Sequence, residues 1–201
     1  MKGVINLLSS YQGILAGLGS IIPGFLFFTN YAPPLFREVT ILSSALCIAA
    51  LVFITESPTP RTTASTLKRH RKKSVRYLVL GFIMALLYLF LVSFTTVVTP
   101  DAEKERWQIG FDVQPWNLTH EANVMIENKE CPHATSHSLL LCSGFTKESI
   151  ELVWKKGYVY LAGILLILSF TLGSVFWTMG WAYLSKWKLN NKKKQTKITA
   201  R

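Results

Sequence analysis

The chain has 201 residues, of which 50% are hydrophobic and only 16% are charged, and its formal net charge is +11. A typical soluble domain carries about 25% charged residues, whereas here the charges are gathered in short segments separated by long uncharged ones. This pattern excludes an ordinary soluble domain and predicts an all-α integral membrane protein.

Four segments are apolar enough to cross a bilayer, whose hydrocarbon core of about 30 Å needs roughly 20 residues of helix. The first begins at the N-terminus, and we expect it to be retained as a helix because no clear A-x-A cleavage site follows it. In chain order the prediction is an N-terminus with the first span (1–29), an outer loop (30–38), a second span (39–55), a basic cytoplasmic loop (56–76), a third span (77–98), an extracytoplasmic segment (99–156), a fourth span (157–185) and a basic tail (186–201).

Charge predicts the orientation of these spans. Residues 56–76 hold seven basic residues and one acidic residue, residues 186–201 hold seven basic residues and no acidic one, and residues 99–156 hold six basic and nine acidic residues. Because cytoplasmic loops carry the excess of Lys and Arg, both termini and the 56–76 loop should be cytoplasmic. The compact loops and short tails favour the inner membrane of a bacterium.

The basic run LKRHRKKSVR, residues 67–76, lies directly before the third span. Cations beside a span bind anionic headgroups with about 1 kcal/mol each, so anionic lipids are the first predicted partner and an acidic cytosolic protein is the alternative. Direct nucleic-acid binding is less favoured, because no aromatic platform or fold motif is interleaved. The candidate residues are Lys68, Arg69, Arg71, Lys72, Lys73 and Arg76, with Lys192, Lys193 and Lys194 in the tail.

The extracytoplasmic segment should be a small α+β unit. RWQIGFDV and NVMIENKEC predict short strands, and TKESIELVWKKG predicts a short helix that leads into the fourth span. A segment this small needs a staple, and we expect a disulfide between Cys131 and Cys142, which would stabilise by about 3 kcal/mol. The alternative is a zinc site that adds His133 and His137 as ligands.

Small residues predict where helices pack closely. Gly13 and Gly17 in the first span, and Gly173 and Gly180 in the fourth, could pack within one chain or between copies in a homo-oligomer. The aromatic residues near the ends of the fourth span should form two interfacial belts, an inner one of Trp181, Tyr183 and Trp187 and an outer one of Trp154, Tyr158 and Tyr160.

No catalytic motif and no charged residue within a span is found, so we expect neither an enzyme, nor a metal or other cofactor, nor an ion-coupled transporter. In its four spans, its 99–156 segment and its basic elements at 67–76 and 186–201, the chain resembles the membrane subunit of the bacterial Kiwa anti-phage defence system. That resemblance covers the whole chain at the level of architecture. It implies a phage-sensing membrane platform that recruits a cytosolic DNA-binding partner.

The sequence is therefore compatible with three functions. The first is a non-enzymatic sensor and scaffold that recruits a cytosolic effector through its basic face. The second is an oligomeric channel or permeabilising effector, since a pore can be lined by hydroxyls or backbone. The third is an immunity protein of the colicin type, another group of small four-span membrane proteins.

Overall fold

The computed structural model describes residues 36–56, 64–99, 106–128, 131 and 135–199. The predicted first span over 1–29, with Gly13 and Gly17, lies outside these residues. The elements in chain order are α1 (Phe36–Glu56), α2 (Ala64–Thr95), β1 (Thr96–Val98), β2 (Arg106–Gln108), α3 (His120–Glu127), α4 (Ser136–Cys142), α5 (Lys147–Val153) and α6 (Lys156–Thr199).

Three of the described helices are long and apolar enough to cross a membrane, and they mark the chain as a membrane protein. The segments that qualify are Glu38–Glu56 in α1, Ser65–Thr95 in α2 and Lys156–Lys188 in α6. The last has 33 residues, or about 50 Å at 1.5 Å per residue. It is therefore longer than the hydrocarbon core of about 30 Å.

Both basic segments continue these helices. α2 begins at Ala64 and α6 ends at Thr199, so the predicted loop over 56–76 is helical in its second half and the tail is helical as far as Thr199. Lys and Arg are good helix formers, which explains why the helices do not stop where the apolar residues do. The basic residues of the run are thus held at fixed helical spacing.

The described chain divides into two compact units. The first, called here the helix unit, comprises the described residues of 36–86 and 169–199. The second, called here the mixed unit, comprises those of 87–168 and holds both strands and the three short helices.

Close contact between α2 and α6 organises the helix unit. At Gly180 a Cβ atom would lie 2.7 Å from Cγ of Leu78, and the buried Ser74 Oγ donates a hydrogen bond to Gly180 O at 2.9 Å. On the other side, α1 contacts α6 through the buried pair of hydroxyls Ser43 and Thr171, 3.1 Å apart. Small residues and interhelical hydroxyl bonds are the usual means of association between helices in lipid.

Strands β1 and β2 pair antiparallel in the mixed unit, with Val97 opposite Trp107. They pack with α3, α4 and α5 around an apolar core whose largest fully buried side chain is Trp154. The indole Nε1 of Trp154 donates to Asp112 O at 3.4 Å. Trp154 was expected in the outer interfacial belt, and that prediction is wrong because the short helices enclose its ring.

Two further predictions for this segment have opposite outcomes. The predicted strand over NVMIENKEC is wrong, because residues 123–127 belong to α3. Thr119 caps that helix by accepting a hydrogen bond from the backbone of Ala122, and such a cap favours a helix locally. The predicted helix in TKESIELVWKKG is confirmed as α5, which Thr146 and Ser149 begin with a capping box.

Candidate functional site: the basic end of the helix unit

The start of α2 and the end of α1 meet α6 where the basic run lies. The run opens α2, and its Arg71 guanidinium lies over the Trp187 ring of α6, with Cζ 5.9 Å from the ring centroid. The Lys186 ammonium of α6 donates to Ile54 O in the last turn of α1 at 2.7 Å. A cation at this place also interacts favourably with the negative end of the α1 helix dipole. These contacts define the basic end of the helix unit.

One face of the basic run is used for packing. Leu67 and Ser74 are buried, and His70 is half-buried between them in sequence. The rings of His70 and Tyr77 both stack on Tyr183 of α6, with centroids 5.9 Å and 5.6 Å away. The spacing of three or four residues along α2 places these side chains on a single face.

Two cations of the run have aromatic partners on α6. Lys73 is half-buried, and its Nζ lies 5.3 Å from the centroid of the Tyr183 ring. Arg71 is exposed, but it has the contact with Trp187 described above. Cations held over aromatic faces are attracted by the ring quadrupole with about 0.5–1 kcal/mol at exposed sites. Arg71 and Lys73 therefore contribute to the contact between α2 and α6.

The remaining cations form an outward stripe, defined as Lys68, Arg69, Lys72 and Arg76. All four side chains are exposed, and among the described residues none of them forms an ion pair. Lys68, Lys72 and Arg76 follow one another at intervals of four residues, or about 6 Å along the helix axis. Within the part of the chain that the structure describes, the stripe is thus a row of positive charge about 12 Å long on a helical backbone.

The other predicted site residues lie elsewhere. Gly173 and Gly180 face α2, with Met84 and Leu78 respectively as their nearest side chains. These contacts are within one chain, and packing between copies stays a prediction. The three tail lysines, Lys192, Lys193 and Lys194, lie on the last part of α6.

Cys131 and Cys142 form the expected disulfide in the mixed unit, with Cα atoms 6.1 Å apart. This bond removes both thiolates from the alternative zinc site. His133 lies outside the described residues, and His137 packs against Phe145 with ring centroids 5.4 Å apart. In the part of the chain that the structure describes, no group of three or more His, Cys, Asp or Glu side chains could hold a metal ion.

Sequence reasoning assigned Tyr183 and Trp187 to an inner interfacial belt and missed their contacts with the basic run. Tyr183 and Trp187 are more than 100 residues from the run they contact, so no local pattern connects them. The positions 70, 74 and 77 could have indicated a packed face within the run, because their spacing is helical.

A comparison with protein-family models, with curated proteins and with solved structures finds no match for this chain.

Proposed function

We propose that this chain is a non-enzymatic membrane scaffold that recruits an acidic surface of a cytosolic protein through the outward stripe. The observation that supports the proposal is the division of the basic run into two sets. Arg71 and Lys73 contact aromatic rings of α6, whereas the four exposed cations of the stripe form no ion pair among the described residues. Because the stripe lies on helical backbone, a partner that binds it does not have to order the backbone, as a partner of a flexible loop would.

The proposed setting is the inner membrane of a bacterium, crossed four times, with the first span within 1–29 and the basic end in the cytoplasm. The excess of Lys and Arg at this end supports that orientation. The partner would be the effector of an anti-phage defence system, as the resemblance in architecture implies. In that case the mixed unit lies outside the cytoplasm and is the part that senses infection.

A charge-matched pair of double variants tests the stripe. R69Q/K72Q removes one Arg and one Lys from the stripe, and R71Q/K73Q removes one Arg and one Lys from the set that contacts aromatic rings. An exposed ion pair contributes up to about 1 kcal/mol, so the first variant should bind the product of the adjacent gene up to about 30-fold more weakly. The second variant should bind it within a few fold of the wild type.

Co-purification from native membranes, followed by titration in nanodiscs, measures this difference. Equal loss in both variants would mean that only total charge matters, as for anionic headgroups. Full binding by R69Q/K72Q would remove the stripe from the mechanism.

A phage-plating assay tests the defence setting separately. Cells that carry the chain and its neighbouring gene should resist a phage that plates on cells carrying R69Q/K72Q. Protection against a pore-forming toxin, with no effect on phage, would instead support the immunity function.

A further inference from the structure

The loop of residues 109–117 in the mixed unit is attached to the last turn of α2. The backbone amide of Ile109 donates to Thr95 O at 2.8 Å, and that of Asp112 donates to Phe94 O at 3.0 Å. The final carbonyls of a helix have no partner within the helix itself, so the loop supplies partners that α2 lacks. Its position along the α2 axis is therefore fixed.

The same loop is attached to the start of α6. Lys155 uses both its backbone amide, which donates to Asn117 O at 3.0 Å, and its ammonium, which donates to Trp116 O at 3.0 Å. The Trp116 ring makes an edge contact with Tyr158 in the first turn of α6, with centroids 4.9 Å apart. The loop is thus held at the ends of two helices that are apolar and long enough to cross a membrane.

Trp116 is exposed despite these attachments. Its side chain is 51% accessible, whereas Trp154 in the same unit is fully buried. Phe111 lies beside it, with ring centroids 6.3 Å apart. The loop therefore presents aromatic surface that the described part of the unit does not cover.

The level of this surface along α6 can be compared with the headgroup layer that a bilayer around the helix would have. Exposed apolar side chains on α6 begin at Tyr160 and Leu161, so the hydrocarbon of a surrounding bilayer would begin at this level. Tyr158 precedes Tyr160 by two residues, or about 3 Å along the helix. The headgroup layer is about 5–7 Å thick on each side of the membrane, so Trp116 at the level of Tyr158 falls within it.

We propose that Trp116, with Phe111 and Tyr158, anchors the mixed unit in the headgroup region of the adjacent lipid leaflet. Trp and Tyr are enriched at this depth because their rings are apolar at one end and polar at the other. The ammonium of Lys155 lies at the same level and suits a lipid phosphate. The occupant of the exposed aromatic surface is thus the bilayer itself. This inference does not depend on the proposed recruitment by the basic end.

Fluorine NMR of the full chain, labelled with 5-fluorotryptophan in phosphatidylcholine and phosphatidylglycerol nanodiscs, tests the anchor. The chain has six tryptophans, and W116F assigns the Trp116 signal by its disappearance. Lipid carrying a nitroxide on its headgroup should broaden this signal at least threefold more than a water-soluble gadolinium chelate does. The buried Trp154, assigned with W154F, should be broadened less by both reagents.

The ratio of the broadening of the Trp116 signal by the two reagents shows whether the ring lies in the headgroup region, and this comparison does not need W154F. Stronger broadening by the aqueous chelate would show that the ring faces water. Weak broadening by both reagents would show that another protein surface, such as a second copy, covers it. Either result overturns the lipid anchor and leaves the proposed role of the stripe untouched.

Discussion

Close packing of α2 on α6 predicts that one added methyl group at Gly180 destabilises the helix unit. A Cβ there would lie 2.7 Å from two side-chain atoms of Leu78 and 3.0 Å from its backbone nitrogen, so the helices must separate. Overpacking of this kind costs about 1–3 kcal/mol. Separation also weakens the hydrogen bond from Ser74 to Gly180 O, and such bonds contribute about 0.6 kcal/mol in membrane proteins.

Alanine is a better helix former than glycine by up to about 1 kcal/mol, which offsets part of this loss. The expected net effect of Gly180→Ala is a reduction of about 1–2 kcal/mol in the free energy of unfolding. Gly157 is the matched control in the same helix, because a Cβ there meets no atom within 4 Å. Gly157→Ala should leave the free energy of unfolding unchanged or slightly raised.

Steric trapping in bicelles measures the free energy of unfolding of both variants beside the wild type. If Gly180→Ala were as stable as Gly157→Ala, the two helices would not approach as closely as the structure shows. Equal losses in both variants would assign the effect to α6 itself, and the contact with α2 would have no part in it.

Two predictions concern the mixed unit. Trp154→Ala should destabilise this unit by about 3–5 kcal/mol, because it removes a fully buried ring. The control Leu141→Ala, at a 53% exposed position, should change stability by about 0.5 kcal/mol at most. Thermal melts in nanodiscs compare the two variants, and equal melting midpoints would contradict the described core. Cys142→Ser should cost about 3 kcal/mol by the loop-entropy estimate and speed proteolysis of residues 96–155. After reduction, the wild type should be cleaved by protease at the same rate as the variant. A rate of wild-type cleavage that is the same with and without reductant would refute a stabilising disulfide.

The membrane helices were predictable because the length of an apolar segment is a direct physical requirement of the bilayer. The predicted second span over 39–55 lies within the structural segment Glu38–Glu56. The limits of the others were harder to predict, because hydropathy detects where apolar residues end and not where the helix ends. α2 therefore starts at Ala64, thirteen residues before the predicted third span.

The mixed unit was less predictable, because its burial depends on contacts between distant residues. An aromatic side chain just before a span is typical of an interfacial belt, and this position outweighed the helical spacing of Ile150, Val153 and the buried Trp154. The segment around Asn123 fitted a strand by alternation, although the cap at Thr119 was a local signal for a helix. Weighing capping residues against alternation would have corrected this prediction.

The two units are stabilised by different physical means, and this difference has consequences. Lipid tails are as apolar as leucine, so the helix unit gains little from burying apolar surface and depends on close approach at Gly180 and on hydroxyl bonds such as that of Ser74. The mixed unit instead encloses Trp154 in an apolar core and adds a disulfide. Reductant should therefore destabilise the mixed unit and leave the contact between α2 and α6 intact. A larger residue at Gly180 should weaken the contact between α2 and α6 and leave the mixed unit unchanged. Because the outward stripe lies on α2 within the helix unit, its display depends on helix packing, and binding of a partner at the stripe should survive reduction of the disulfide.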